Sequence, residues 1–109
     1  GQAAAEYLMA GKADLGIVIC GTGIGISISA NKVPGVRCAL LSDVFSAKRT
    51  REHNNANMMA LGARVIGPGL AIELVDAFLH TDFLKDEPRH VKRVEKISQI
   101  EKKYCREDA

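Results

Sequence analysis

Residues 15–25 read Leu-Gly-Ile-Val-Ile-Cys-Gly-Thr-Gly-Ile-Gly, an apolar run that brings one thiol to a glycine-rich turn. The run is rich in β-branched side chains and does not alternate with polar residues, which is typical of a parallel strand covered on both faces. Gly21, Gly23 and Gly25 allow a tight turn whose N–H groups converge where the following helix begins. The segment therefore predicts a strand, an anion-binding turn and a helix in succession.

Cys20 stands at the end of that strand, where the N–H groups and the helix dipole favour a negative charge. Such a field lowers a thiol pKa from its reference value of about 8.5, so that part of the thiol is ionised at neutral pH. This predicts a nucleophile or a proton-transfer base beside an oxyanion hole. The alternative is a small hydrophobic residue buried at a strand end. Cys38, in a later apolar run, is more typical of the core.

Length and composition describe one domain without an unusual charge. The chain has 109 residues, with 15 lysines and arginines against 13 acidic residues, a balance too even to indicate a nucleic-acid partner. Its three cysteines are widely spaced and form no metal-ligand motif with histidine, which predicts free thiols and no bound metal or cofactor. No run approaches the roughly 20 apolar residues of a membrane span, so we expect a cytoplasmic protein with no membrane partner.

The rest of the chain alternates helix-forming and strand-forming segments. Beyond the first strand, we expect strands at residues 36–41 and 58–61. The expected helices cover residues 2–10, 24–32, 43–53, 67–80 and 88–104. This order predicts a three-layer α/β/α, Rossmann-like parallel sheet with right-handed crossovers. Ligands bind such sheets outside the carboxyl ends of the strands, where Cys20 lies.

The closing helix places an arginine in an unusual position. At about 100° per residue, four apolar side chains share one arc of the helix with Arg93, while the lysines point elsewhere. A buried guanidinium needs an anionic partner, and Arg89 lies one turn earlier on nearly the same line, so we expect the two to hold one phosphate. The alternative is an ordinary ion pair between Arg93 and Glu101. The four apolar residues are Val94, Ile97, Ile100 and Tyr104.

Two further polar residues lie where chemistry is expected. His53 belongs to the polar cluster at residues 51–55, at the end of an expected helix, and a histidine there is a candidate general acid or base near pH 7. Arg64 follows the third strand, at the ligand-binding edge. The alternatives are a surface or structural position for His53 and an ion pair for Arg64. His80 and His90 sit at helix ends, where we expect them to complement helix dipoles.

Four ordered motifs lie at residues 20–32, 51–57, 62–67 and 89–94, and read CGTGIGISISANK, REHNNAN, GARVIG and RHVKRV. With these motifs, the chain resembles type B ribose-5-phosphate isomerase, in the wider sugar-phosphate isomerase family that includes galactose-6-phosphate and allose-6-phosphate isomerases. The resemblance implies an aldose–ketose isomerisation through an enediolate, within the pentose phosphate pathway of carbohydrate metabolism. Ribose 5-phosphate to ribulose 5-phosphate is the first expectation.

The resemblance also implies a role for each residue of the site. Cys20 would be the base that moves the proton, and Thr22 would act with the turn amides on the developing oxyanion. His53 would assist opening of the furanose ring, and Asn54 would bind sugar hydroxyls. The remaining assignments are the substrate-binding Gly21, Gly23, Ile24 and Gly25 and the phosphate-binding Arg64, Arg89 and Arg93.

Two implications concern the molecule as a whole. Family sites are built across a homodimer interface, so a homodimer or larger homo-oligomer with shared sites is expected. The resemblance also implies that family members begin with a strand ending in an Asp-His pair, a helix and a second strand, about 45 residues in all for this strand–helix–strand unit. We therefore expect residues 1–109 to be a single, N-terminally truncated isomerase domain with about three strands of five. We expect this chain alone to be inactive.

The residues also fit two other classes of protein. A dinucleotide-binding half-domain would use the glycine turn and Asp43 about 20 residues further on, although Ile26 stands where that fingerprint needs its third glycine. A non-catalytic phosphosugar-binding fragment would bind the sugar phosphate without turnover. Within the isomerase class, galactose 6-phosphate and allose 6-phosphate are the alternative substrates.

Overall fold

A computed structural model describes residues 1–105 as one parallel sheet with helices on both faces. The strands are β1 (Gly16–Cys20), β2 (Cys38–Leu40) and β3 (Met58–Gly62). Their order in the sheet is β1-β3-β2, and β3 pairs in parallel with both neighbours. The expected three-layer, Rossmann-like architecture is therefore confirmed. Residues 106–109, which we included in the domain, lie outside the described residues.

The helices begin and end close to their sequence signals. They are α1 (Gln2–Tyr7), which continues as a π-helical segment (Leu8–Lys12), α2 (Ile24–Asn31), α3 (Val44–Asn54), α4 (Pro68–Leu79) and α5 (Pro88–Tyr104). Asp43 caps α3 by accepting a hydrogen bond from the backbone N–H of Ser46 at 2.7 Å, and Asn55 ends the helix in the left-handed conformation. Within residues 1–105, no helix is both long enough and apolar enough to cross a membrane.

The core lies on both faces of the central strand, because all five residues of β3 are buried. On one face, Met58 and Ala60 pack in a cluster with residues of α1 and α2. On the other face, Met59 and Leu61 pack with Leu74 and Phe78 of α4 and with Ala47 of α3. The sheet is thus covered by α1 and α2 on one side and by α3 and α4 on the other.

One face of β1 is open, which corrects the expectation that this strand is covered on both sides. Val18 is buried, whereas Ile17 is 37% exposed and Ile19 is 56% exposed. The strand lies at one edge of the described sheet, so it has a neighbour on one side only. Together with α4, it lines an apolar groove of about 380 Å³ that includes Ile72 and Leu79.

Strand β2 has three residues instead of the six that we expected at 36–41. The backbone N–H of Arg37 donates to the side chain of Asn57 at 2.7 Å and so does not join the sheet. On the side facing away from β3, the backbone N–H of Cys38 donates to the side-chain oxygen of Asn31 at 2.7 Å, and the carbonyl of Cys38 accepts from the side-chain amide of Asn31 at 2.9 Å. Two asparagine side chains therefore take the place of strand partners at the beginning of β2.

Candidate active site

The thiol of Cys20 lies at the carboxyl end of β1, inside the turn that leads to α2. Its Sγ accepts a hydrogen bond from the backbone N–H of Gly23 at 3.1 Å. The pKa of Cys20 lies below its ordinary value because backbone N–H groups stabilise the thiolate, that of Ile26 most, with partial burial opposing them. The surrounding N–H groups therefore favour the thiolate, the form that a proton-transfer base requires.

The glycine turn packs directly onto the end of β3. Gly23 has a left-handed backbone (φ 78°), and a Cβ there would lie 2.5 Å from the side chain of Leu40 and 2.9 Å from the carbonyl carbon of Leu61. A Cβ on Gly62 would lie 2.5 Å from the carbonyl oxygen of Thr22. Only glycine fits at these two positions, and their close approach holds the turn amides in place around the thiol.

Thr22 and Ile24 border the turn on its solvent side, where a ligand has access. The hydroxyl of Thr22 accepts a hydrogen bond from the backbone N–H of Ile24 at 3.2 Å, at the start of α2. Both residues are exposed, as is Gly25. The turn residues that we assigned to the oxyanion and the substrate thus lie beside Cys20, whereas Asn54 does not.

Arg64 lies at the same end of the strands as Cys20, because the segment after β3 pairs with the segment after β1. The backbone N–H of Ala63 donates to the carbonyl of Cys20 at 2.8 Å, and that of Arg64 donates to the carbonyl of Gly21 at 2.9 Å. The side chain of Arg64 passes beside Gly21, where a Cβ would lie 3.7 Å from its Cδ. A positive charge therefore borders the thiol turn.

His53 lies in a second polar group, between the end of α3 and the start of α5. Its imidazole stacks on that of His90, with ring centroids 4.1 Å apart and an interplanar angle of 21°. Arg93 lies next to this pair, with its Nη1 3.4 Å from Nδ1 of His90. The pKa of His90 is lowered by burial first and then by the charges of His53, Arg93 and Arg89.

The two groups lie at opposite ends of the parallel strands. Helix α3 begins after the carboxyl end of β2 and returns to the amino end of β3, so His53 is near the end of the sheet at which Met58 lies. Cys20 pairs in register with Gly62 at the other end of β3. A five-residue strand spans roughly 13 Å from first to last Cα. Within one chain, the residues assigned to a single site therefore form two groups.

We name these groups by their central residues. The thiol half-site contains Cys20 and its turn, and the histidine half-site contains the residues around His53. The members of the thiol half-site are Cys20, Gly21, Thr22, Gly23, Ile24, Gly25 and Arg64, and those of the histidine half-site are His53, Asn54, Arg89 and Arg93. Arg64 thus lies apart from the two arginines with which we grouped it as phosphate ligands.

Asn54 points toward a larger groove beside the histidine half-site. The groove has a volume of about 630 Å³ and runs between β2, the end of α3 and the second half of α5. Its lining includes Asn54, Arg37 and Glu101 as well as apolar side chains. Arg51 and Asn57 of the motif at 51–57 serve the fold, since Arg51 donates to the carbonyl of Ala56 at 2.6 Å and the side-chain oxygen of Asn57 accepts from the backbone N–H of Arg37 at 2.7 Å.

The structure corrects the argument that placed Arg93 in a buried apolar arc. Arg93 is exposed, and so are Ile97 (39%), Ile100 (60%) and Tyr104 (68%). The helical wheel predicts which residues share a face but not which face meets the rest of the fold. The alternative ion pair with Glu101 is also wrong, because both carboxylate oxygens of Glu101 accept from the backbone N–H of Gly35, at 2.9 and 3.0 Å.

His90 is the residue that the sequence argument missed. We expected it to complement a helix dipole, but it is in the first turn of α5 and is 6% exposed. The available signal was its position within Arg89-His-Val-Lys-Arg93, one turn before Arg93. His80 lies at the end of α4 as expected, with Nδ1 2.8 Å from the carbonyl oxygen of Asp76.

Comparison with known proteins gives consistent matches. The family model described as Ribose/Galactose Isomerase matches residues 1–97. The protein named "Putative sugar phosphate isomerase YwlF" of Bacillus subtilis is 59% identical over 99 residues, which cover 91% of this chain and 65% of that protein. The galactose-6-phosphate isomerase subunit LacB of Clostridium acetobutylicum is 43% identical over 104 residues, which cover 94% of this chain and 60% of that protein.

A solved structure supports the same relationship. The ribose-5-phosphate isomerase B of Clostridium thermocellum superimposes with a TM-score of 0.88 at 53% sequence identity, covering 93% of this chain and 67% of that chain. This chain spans 60 to 65% of the length of the two curated relatives above. The residues that the family model matches, 1–97, include both half-sites.

Proposed function

This chain belongs to the Ribose/Galactose Isomerase family, and we propose that it supports an aldose–ketose isomerisation of phosphorylated sugars, with ribose 5-phosphate as the substrate. The observation that carries this proposal is the Cys20 thiol, whose ionised form is stabilised by the turn amides. Galactose 6-phosphate is the alternative substrate, favoured by the similarity to a galactose-6-phosphate isomerase subunit.

In the proposed reaction, the Cys20 thiolate removes the proton from the carbon beside the substrate carbonyl. The electron pair moves onto the carbonyl oxygen and gives an enediolate. Return of the proton to the former carbonyl carbon, with proton exchange between the two oxygens, completes the isomerisation. The turn amides and the Thr22 hydroxyl stabilise the developing oxyanion, and a donor of this kind contributes about 3 kcal/mol to the transition state.

The histidine half-site supplies the remaining steps of the proposal. His53 assists opening of the furanose ring, Asn54 binds sugar hydroxyls, and Arg89 and Arg93 hold the phosphate. Because the two half-sites lie at opposite ends of the parallel strands, we propose that a second copy of the chain completes each site. A two-fold homodimer would then carry two sites, each with the thiol of one subunit and the histidine of the other.

The dinucleotide-binding alternative is less well supported. It requires the carboxylate of Asp43 to bind a ribose, but this carboxylate accepts the backbone N–H of Ser46 and caps α3. The non-catalytic alternative differs from the isomerase in turnover alone, so an activity assay separates them.

A mixing experiment tests the shared isomerase site. We predict that Cys20→Ala and His53→Ala each abolish ribose 5-phosphate conversion. An equimolar mixture of the two variants should recover about a quarter of the parent's activity. Random pairing makes half of the dimers mixed, and each mixed dimer has one intact site out of two. Cys38→Ala is the matched control, since Cys38 lies in neither half-site. The parallel assay with galactose 6-phosphate decides between the substrates.

The assays are run with and without a complementing peptide, which supplies the Asp-His strand, helix and second strand that the family resemblance implies. If Cys20→Ala keeps more than about a tenth of the parent's turnover, Cys20 is not the base. A silent mixture whose subunits have exchanged would show that the sites are not shared. Phosphosugar binding by the parent without conversion under either condition would favour the non-catalytic alternative.

A further inference from the structure

His90 is the one buried residue of α5, a helix whose other described side chains are exposed or half-buried. It lies between two residues of the histidine half-site and has no role in the mechanism above. The face of its ring stacks on His53, and its edge meets Arg93. One buried side chain thus contacts both the ring-opening group and a phosphate ligand of the proposed site.

The contact with Arg93 favours one tautomer of His90. An arginine has only N–H donors, so in a hydrogen bond across the 3.4 Å between Nη1 of Arg93 and Nδ1 of His90, Nδ1 is the acceptor. A neutral ring of this kind carries its proton on Nε2. The charged and titratable groups around the ring are Arg89 and Arg93 on its own helix, His53 on α3 and the nearby carboxylate of Glu87.

Burial first, and then the neighbouring His53, Arg93 and Arg89, lower the pKa of His90 and so favour its neutral form. A neutral His90 keeps its acceptor at physiological pH. Its two contacts use different parts of the ring, the π-face for His53 and Nδ1 for Arg93. They can therefore be removed separately by substitution.

We propose that His90 is a positioning residue that holds the imidazole of His53 by stacking and the guanidinium of Arg93 by hydrogen bonding, and so couples ring opening to phosphate binding. This inference rests on the proposed function of His53 and Arg93. If His90 only filled space between α3 and α5, substitutions of it would not affect His53 and Arg93 separately.

Two variants separate the contacts. His90→Phe keeps a planar ring against His53 but has no acceptor for Arg93. His90→Asn keeps a polar atom near the position of Nδ1 but has no ring to stack. His80→Asn is the matched control, because His80 is exposed at the end of α4 and belongs to neither half-site.

The first measurements need no turnover and use the chain itself. We expect imidazole ¹⁵N shifts of the parent to show His90 protonated on Nε2. The ring protons of His53 should show an upfield ring-current shift in the parent, and this shift should persist in His90→Phe and be lost in His90→Asn. Inorganic phosphate should bind about 3- to 10-fold more weakly to His90→Phe, the loss of one ordinary hydrogen bond, and within twofold of the parent to His90→Asn.

Kinetics supply the second measurement, in a preparation that converts the phosphosugar. His90→Phe should raise KM about 3- to 10-fold with kcat within twofold, and His90→Asn should lower kcat by about 3- to 10-fold with KM within twofold. If no preparation converts any phosphosugar, the proposed isomerase function fails, and the phosphate and spectroscopic results still decide the role of His90.

Three results would overturn the inference. One is an Nδ1-protonated, neutral His90 in the parent, which needs no variant to fold. Another is an equal loss of phosphate affinity in both variants, as expected when a space-filling residue is removed. The third is parent-like phosphate affinity and kinetics in both variants.

Discussion

The half-buried cysteines of β1 and β2 have opposite electrostatic surroundings. Cys20 lies among backbone N–H groups that lower its pKa, whereas burial raises the pKa of Cys38 to about 11. The sequence was sufficient for this distinction, because a thiol before a glycine turn and a thiol inside an apolar run differ in their immediate neighbours.

Alkylation measures this difference directly. At pH 7, a thiol with a pKa of about 11 has roughly 300-fold less thiolate than one at the reference value of about 8.5, so we predict that iodoacetamide modifies Cys20 at least about 100 times faster than Cys38. The labelling rate of Cys20 should level off at a lower pH than that of a cysteine in an unstructured peptide. Peptide mass spectrometry over time gives both rates, and similar rates at pH 7 would contradict the assignment of Cys20 as an activated thiol.

Two glycines of the turn provide a matched pair of substitutions. Gly23 has a left-handed backbone and no room for a Cβ, while a Cβ on Gly25 would meet no atom within 4 Å. We predict that Gly23→Ala lowers the free energy of unfolding by at least about 1–2 kcal/mol, and that Gly25→Ala is neutral or stabilising by up to about 1 kcal/mol. Urea unfolding gives both values. Equal effects would mean that the left-handed conformation and the contact with Leu61 are unimportant.

Element types and positions follow from local sequence signals. Helix α3 begins at its aspartate cap and ends at Asn55, and α5 begins at Pro88 as expected. The length of β2 could not be predicted in this way. It depends on side chains of Asn31 and Asn57, which come from other elements and replace strand partners only once the fold has formed.

The side chain of Asn31 has a further consequence for the edge of the sheet. It occupies the free N–H and C=O of Cys38, groups through which an edge strand would pair with another chain. We predict that Asn31→Ala lowers the free energy of unfolding by about 1–2 kcal/mol, the net value of two hydrogen bonds, and speeds amide exchange at Cys38. Ser29→Ala, at an exposed position of the same helix, is the control. Unchanged exchange at Cys38 would show that this contact does not protect the edge.

At the scale of the whole molecule, the sequence supports a proposed role for each site residue but does not give its position. The family resemblance assigns Cys20 and His53 to one site, and the motifs do not reveal at which end of the parallel strands each residue lies. The strand order β1-β3-β2 and the course of α3 separate them. Apolar side chains are also exposed along β1 and α4 and on the second half of α5, where no described element covers them.

These exposed faces and the composition of the site lead to the last prediction. The sequence contains no Asp-His pair, to which the family resemblance assigns sugar contacts. We predict that the purified chain binds phosphate weakly at most, associates through its exposed apolar faces, and does not convert ribose 5-phosphate. Addition of the complementing peptide should raise the melting temperature and restore part of the activity, because a partner that binds the folded state stabilises it by mass action.

The measurements are aldose-to-ketose conversion, thermal unfolding and sedimentation, each with and without the peptide. A peptide of the same composition in scrambled order is the control, since it has the same charge but cannot pair with β1 or cover Ile19 and Ile72. The open edge and the apolar groove of β1 predict that stabilisation rises with peptide concentration and saturates. Full conversion by the chain alone would show that Cys20, His53 and the arginines form a sufficient site without further sugar contacts.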